Sequence, residues 1–319
     1  MSLRQAMLAA ARRAPRLLGS SARLVADCAR RQLKPDGGFR GRSPASDLYY
    51  TVFALETLLA LDAPVPRHAV RGYLAEFAEG EGLDFVHLCC LARCWADLDG
   101  GPPDGTAEAV LQRLAAFQAA DGGFAQSPGA KHGAAYGCFL GLGALEDCRS
   151  GSRPSGRSSI PDSPLISAKA LVECLRALET GDGGYANAPG LPASTPATAA
   201  AAVVLHHLAQ PVSEATADWL LARCGDPGGF AAAPSAPVPD LLSTATALHA
   251  LGGLGVPLDA VRERCLAFLD SLWDARGGFH GSWADDALDC EYTFYGLLAL
   301  GHLAPLGPAA STPSPRGRG

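Results

Sequence analysis

Apolar residues recur along the chain in two alternating kinds of segment. One kind is amphipathic and charged, as in 107–119 and 258–272, where Arg262, Glu263 and Arg264 break the apolar pattern. The other is nearly uncharged and rich in Ala and Leu: 50–61, 134–145, 198–208, 244–254 and 293–303. Both kinds read as helices. The first can leave one face in water, whereas a helix that is apolar all round must be buried.

A short motif punctuates these segments. Two glycines and an aromatic recur at Gly37-Gly38-Phe39, Gly122-Gly123-Phe124, Gly183-Gly184-Tyr185, Gly228-Gly229-Phe230 and Gly277-Gly278-Phe279. Glycine can take positive φ and end a helix tightly. The first glycines are 85, 61, 45 and 49 residues apart. A degenerate copy at Glu79-Gly80-Glu81-Gly82 divides the longest gap. A Ser/Arg/Pro/Gly-rich insertion, read as a loop at 148–165, lengthens the second. The unit is thus a helical hairpin of about 45 residues, repeated along the chain. Six apolar helices without polar end repeats do not suit an open solenoid. They suit a closed ring: an all-α (α/α)6 toroid over 22–304, apolar helices inside, around a cavity lined by small apolar residues at one end and by loops at the other.

Composition narrows the function. Hydrophobic residues make up 48% of the 319, enough to exclude wholesale disorder. A net charge of −6 and 7% aromatic residues argue against a nucleic-acid binder. No apolar run is long enough for a transmembrane helix. The ten cysteines form no dense framework and sit mostly in apolar stretches, which points to a reducing, cytoplasmic setting. Residues 1–21 form a basic, acid-free extension, too broken by arginine for a secretory segment, and read as a surface helix leading into the first repeat. The tail at 305–319 is polar and Pro-rich and reads as disordered.

The Asp-x-x-Gly-Gly-aromatic turns resemble the repeats of protein prenyltransferase β subunits and, more weakly, of squalene and oxidosqualene cyclases. The first two repeats carry the sharpest likeness. There Gly37-Gly38-Phe39-Arg40-Gly41-Arg42 is followed by Asp47-Leu48-Tyr49-Tyr50, and Asp84-Phe85-Val86-His87 comes next. The resemblance implies an isoprenoid diphosphate held by Arg40, Arg42 and Tyr50. It also implies a zinc ion near Asp47 and His87 and a separate helical α subunit as partner; as a ligand His87 would need a carboxylate or thiolate partner, for which Asp47 and Cys90 are the candidates. Tyr49 stands where the family's zinc-binding cysteine would be, so the triad is incomplete. Magnesium would accompany a diphosphate, and Asp285-Asp286-x-x-Asp289 resembles an aspartate-rich magnesium motif.

Simpler roles compete with each of these. Asp47, Asp84, Asp240 and Asp289 all precede inner helices, where a carboxylate caps backbone N–H groups. The arginines suit a solvated loop, and His87 suits a buried structural position. His206, His207, His249 and His302 read as structural. Three functions follow. The first is prenyl transfer to an unknown acceptor, with Asp47 at the reacting centre. The second is terpene cyclisation, with Asp289 beside Cys290 as the acid. That reading ranks lower because the inner helices look poor in aromatics and because cyclase relatives usually carry a second toroid. The third is a non-catalytic toroid that binds an apolar ligand or a partner.

Overall fold

The computed structural model describes residues 1–98, 101–150 and 167–305. The expected tail beyond Pro305, and all of the expected inserted loop except its first residues, lie outside the described residues. The chain enters through α1 (Leu3–Ala11), α2 (Pro15–Leu18) and a 3-10 turn (Gly19–Ser21). Helical hairpins follow, each an outer helix and then an inner one. They pair α3 (Ala22–Arg30) with α4 (Leu48–Ala60), α5 (Arg67–Ala75) with α6 (Phe85–Ala96), and α7 (Thr106–Ala115) with α8 (Ala135–Ser150). The others pair α9 (Ala168–Ala177) with α10 (Thr195–His207), α11 (Glu214–Leu221) with α12 (Leu241–Gly253), and α13 (Asp259–Ser271) with α14 (Cys290–Leu303).

Each inner helix packs on the next, and α14 packs back on α4, so the ring is closed. The seam is concrete. Tyr49 on α4 donates its hydroxyl to Glu291 on α14 at 2.6 Å, and the Phe53 ring lies 5.5 Å from that of Tyr295. The expected (α/α)6 toroid is therefore the observed architecture.

The triplets explain the closure. The leading glycines all have positive φ, from 78° at Gly228 to 94° at Gly277. Each presses on the outer helix of the following hairpin. A Cβ would lie 2.0 Å from the Ala69 carbonyl oxygen at Gly37, 2.7 Å from that of Ala215 at Gly183 and 2.1 Å from that of Arg264 at Gly228. The last in the series, Gly277, meets Leu24 on α3 at 2.2 Å. The final hairpin thus grips the first as the other triplet-bearing hairpins grip their successors. The aromatic after each pair is buried: Phe39, Phe124, Tyr185 and Phe230 are all fully enclosed and Phe279 nearly so. At three of the triplets a threonine one turn into the inner helix accepts the aromatic's N–H: Thr51 for Phe39, Thr198 for Tyr185 and Thr244 for Phe230. Short antiparallel ladders, Phe230–Ala231 with Pro239–Asp240 and Trp273–Asp274 with Gly278–Phe279, brace two of these turns.

Gly277→Ala is expected to destabilise the ring by well over 1 kcal/mol, since an L residue in the left-handed region already costs about 1–2 kcal/mol and the Leu24 carbonyl adds a clash. Gly82→Ala is the control, because it has positive φ but no neighbour within 4 Å. Thermal melts of both check this: equal shifts would show that the contact with Leu24 does not matter.

The start of the chain departs from expectation. α1 does not lie on the surface. It packs against α14, α4 and α8 and covers one end of the ring. Leu3, Met7 and Leu8 are buried, and so is Arg4. Arg4 is tolerated there because Asp97 and Asp147 pair with it at 2.6 and 2.9 Å. The cavity therefore has a floor, built by the segment that the sequence reads as a surface helix.

Candidate active site

Because inner and outer helices alternate, all inner helices run the same way and open their N-termini at one mouth. Neighbouring loops bind these ends. The N–H groups of Ala135, Thr195 and Leu241 donate to the carbonyls of Asn187, Ala232 and Gly281. Asp47, Asp84, Asp240 and Asp289 cap α4, α6, α12 and α14, each accepting a backbone N–H of the first turn. The capping role expected for all four is what the structure shows.

Arg42 reaches across the seam. Its guanidinium donates to Asp289 at 2.9 Å and Asp285 at 2.5 Å, and stands over the Tyr292 ring. These bonds outweigh desolvation and hold its pKa above the ordinary arginine value. Arg40 is exposed and donates to Gln32 instead, so the two arginines do not form one clamp. Tyr50 is half-buried beside Gly41. The aspartates resembling a magnesium motif, Asp285 and Asp289, are both engaged by Arg42.

His87 is not buried as expected. It is half-exposed at the mouth, with Nδ1 2.9 Å from Asp84 and Nε2 3.6 Å from Asp47. The Asp47 carboxylate raises its pKa to about 9 despite burial, with Asp84 adding to the effect. The His87 imidazole in turn lowers Asp47. A protonated imidazole between two carboxylates is an ion-pair bridge, and His87 must be neutral to bind zinc. Cys90 lies in the core, its thiol pushed up by burial to about 12. No group of three or more His, Cys, Asp or Glu among the described residues is arranged to hold a metal ion. The residues present do not fit the expected zinc site.

Below the mouth lies a cavity of about 360 Å3. Met7 of α1 and Leu298 bound it, and Ala197, Ala200 and Val203 form an apolar wall. Its aromatic lining comes from three inner helices: Tyr49 of α4, Tyr136 and Phe139 of α8, and Tyr295 of α14. A small annex of about 50 Å3 adds Phe53. This corrects the expectation of an aromatic-poor interior. Neither Asp47 nor Asp289 lines the cavity. The carboxyl group that does is Glu291, two residues past Asp289. Burial raises Glu291 to about 7; the Tyr49 hydroxyl opposes the rise, and Asp289 adds to it. Burial likewise raises the Tyr49 phenol, so it stays a donor. Had the heptad face of α14 been followed from Glu291 through Tyr295 to Leu298, the sequence could have pointed to this residue. His249 of α12 also lines the cavity, and His302 of α14 bonds it at 3.0 Å. The sequence reads both as structural, and the structure pairs them across neighbouring repeats.

Comparison with known proteins agrees with the fold. No curated protein matches the chain. A solved structure of the type II terpene cyclase MstE from Scytonema, in complex with geranylgeranyl dihydroxybenzoate, superposes with a TM-score of 0.64 at 16% identity. The match covers 91% of this chain and 98% of that one. A protein from Actinoplanes gives 0.55 at 15% identity, over 89% and 98%. The protein geranylgeranyltransferase-I of Candida albicans, complexed with GGPP, gives 0.50 at 15%, over 93% and 82%. No helix among the described residues is long and apolar enough to cross a membrane. The model of the prenyltransferase alpha-alpha toroid domain matches residues 16–156, 157–231 and 198–306. With that match spanning most of the ring, the chain belongs to the prenyltransferase α-α toroid family.

Proposed function

We propose that the protein is a terpene-cyclase-type enzyme that closes rings on an isoprenoid chain by protonating an alkene with Glu291. One observation carries this: the aromatic, apolar cavity contains a carboxyl group that burial raises to about 7, so a substantial share of it stays protonated near neutrality. The Tyr49 hydroxyl already donates to Glu291 Oε1. As the proton leaves, that bond strengthens and stabilises the carboxylate. Carbocations formed inside would meet the ring faces of Tyr136, Phe139 and Tyr295, whose quadrupoles attract positive charge.

Prenyl transfer from a diphosphate fits less well. A diphosphate at the mouth would face the capping carboxylates Asp47, Asp84, Asp240 and Asp289, while Arg42 is already neutralised by two of its neighbours. The short length of the chain is no objection to cyclisation. MstE is matched over 98% of its own length, so it too is of single-toroid size. Its ligand joins a geranylgeranyl chain to an aromatic acid. By analogy the substrate here is an isoprenoid whose head group is not a diphosphate.

The test is incubation with polyprenyl alcohols, prenylated phenols and the corresponding diphosphates, without acceptor, with products read by gas chromatography and mass spectrometry. Cyclic isomers of the non-phosphorylated compounds are expected. Release of diphosphate as the sole reaction would defeat the proposal. Turnover should also fall as pH rises through about 7, because Glu291 then loses the proton it must donate. A rate that rises across that range would exclude Glu291 as the acid.

A further inference from the structure

Acid-started cyclisation leaves an account to settle. One proton enters the substrate at the first alkene, and the last carbocation must lose one to become a neutral product. Glu291 lies at the mouth, as the second residue of α14. The group that collects the proton must lie where the folded chain ends, deeper in the cavity. His249 is the ninth residue of the neighbouring inner helix α12, which runs in the same direction. At 1.5 Å per residue it sits about 10 Å further down the ring axis than Glu291.

His249 is buried, yet it borders two spaces. It lines the cavity, and it also lines an open groove between α1, α12 and α14 at the far end of the ring. His302 lines the same groove and joins His249 through Nδ1 and Nε2 at 3.0 Å. Asp259 also borders the groove, but no carboxylate contributes to the shift of either imidazole. Burial, with the guanidiniums of Arg93 and Arg13, lowers His249 to about 4, and burial with His249 and Arg13 lowers His302. Both rings are therefore neutral near pH 7, and each keeps a lone pair. A weak base is enough here, since a C–H bond beside a carbocation is strongly acidic.

Resting on the cyclase reading, we infer that His249 is the base that ends the reaction and that His302 carries its proton out through the groove. The balance is complete. The Glu291 O–H bond breaks and a C–H bond forms at the first alkene. Ring closure then moves the cation inward. A C–H bond beside the final cation breaks, its electron pair becomes the product alkene, and the proton goes to Nε2 of His249. The imidazolium shares its charge with His302 across the Nδ1···Nε2 bond. A proton leaves to water in the groove, and Glu291 is reprotonated from water at the mouth. No oxidant or other reactant is needed.

The experiment compares the products of wild type, His249→Phe and His302→Phe. The phenylalanine keeps the ring's bulk and removes its basic nitrogen. In His249→Phe the substrate is still consumed, but the single alkene product is lost to a mixture of alkene isomers and a water-quenched alcohol. His302→Phe, which removes only the relay, keeps the same alkene and slows its formation. An unchanged product profile in His249→Phe with an active wild type overturns this inference and leaves the cyclase reading intact. A wild type that cyclises nothing rejects both. Nitrogen NMR of histidine-labelled wild type gives a readout that needs no variant. His249 should be neutral at pH 7, and its resonances should shift when farnesol is added while those of surface His68 do not. A charged His249, or one that farnesol leaves unmoved, rejects the assignment.

Discussion

Glu291→Gln cuts turnover by orders of magnitude while leaving the ligand in place. Glutamine is nearly isosteric, and its amide oxygen still accepts from the Tyr49 hydroxyl, which the glutamate holds at 2.6 Å. What is lost is the acidic proton. The expected fall in rate is roughly 10²–10⁴-fold, the range a positioned general acid contributes. Binding of farnesol, followed by quenching of cavity tyrosine fluorescence, should be almost unchanged. Tyr49→Phe keeps the acid but removes the donor that stabilises its conjugate base, so it should lose about 10²-fold or somewhat more. Asp289→Asn is the informative contrast. Asp289 caps α14 and pairs with Arg42 outside the cavity, so this change should lower the melting temperature more than it lowers turnover per folded molecule. If Asp289→Asn removed activity and Glu291→Gln did not, the acid would have been misplaced.

Arg4→Met should detach the floor. Arg4 is buried between Asp97 and Asp147, and nearby Arg93 pairs with Glu56. Two guanidiniums thus face three carboxyls. Burial and Glu56 push Asp97 well above the carboxylate range, and its Oδ2 has no hydrogen-bond partner. Methionine would fill much of the arginine's volume and leave the two aspartates facing apolar surroundings. Removing one partner of a buried ion pair costs about 3–5 kcal/mol. The loss should concentrate in α1, seen as fast amide exchange across 3–11 and as uptake of an apolar dye through the opened end. Uniform destabilisation with α1 still protected would show that Met7 and Leu8, rather than Arg4, hold the helix down.

These two sites also show what a linear sequence conceals. The ring was legible because its evidence is local: a glycine pair, an aromatic and an apolar helix, repeated. The capping aspartates were legible for the same reason. The cavity was not, since Tyr49, Tyr136 and Tyr295 are single residues on separate helices, and only closure brings them together. Resemblance drew attention to Asp289, but a helix N-cap points along the axis at the first turn. Two residues on, Glu291 turns inward. Arg4 misled in the opposite direction. A charged residue in a basic segment reads as solvent-facing until its partners, 93 and 143 residues away, are known. His249 and His302 likewise gain meaning only across neighbouring repeats.

The seam has a kinetic consequence. Arg42 meets Asp289 across 247 residues, and Gly277 meets Leu24 over a similar stretch. Contacts so distant in the chain form late, because the loop between them must be ordered first. During synthesis five hairpins emerge with their greasy inner faces unsealed, and the flank of the first that α14 will cover stays open until the sixth arrives. A nascent chain of this shape stays sticky until its sixth hairpin has left the ribosome. Its yield in a cell should depend on holdase chaperones far more than its finished stability would suggest.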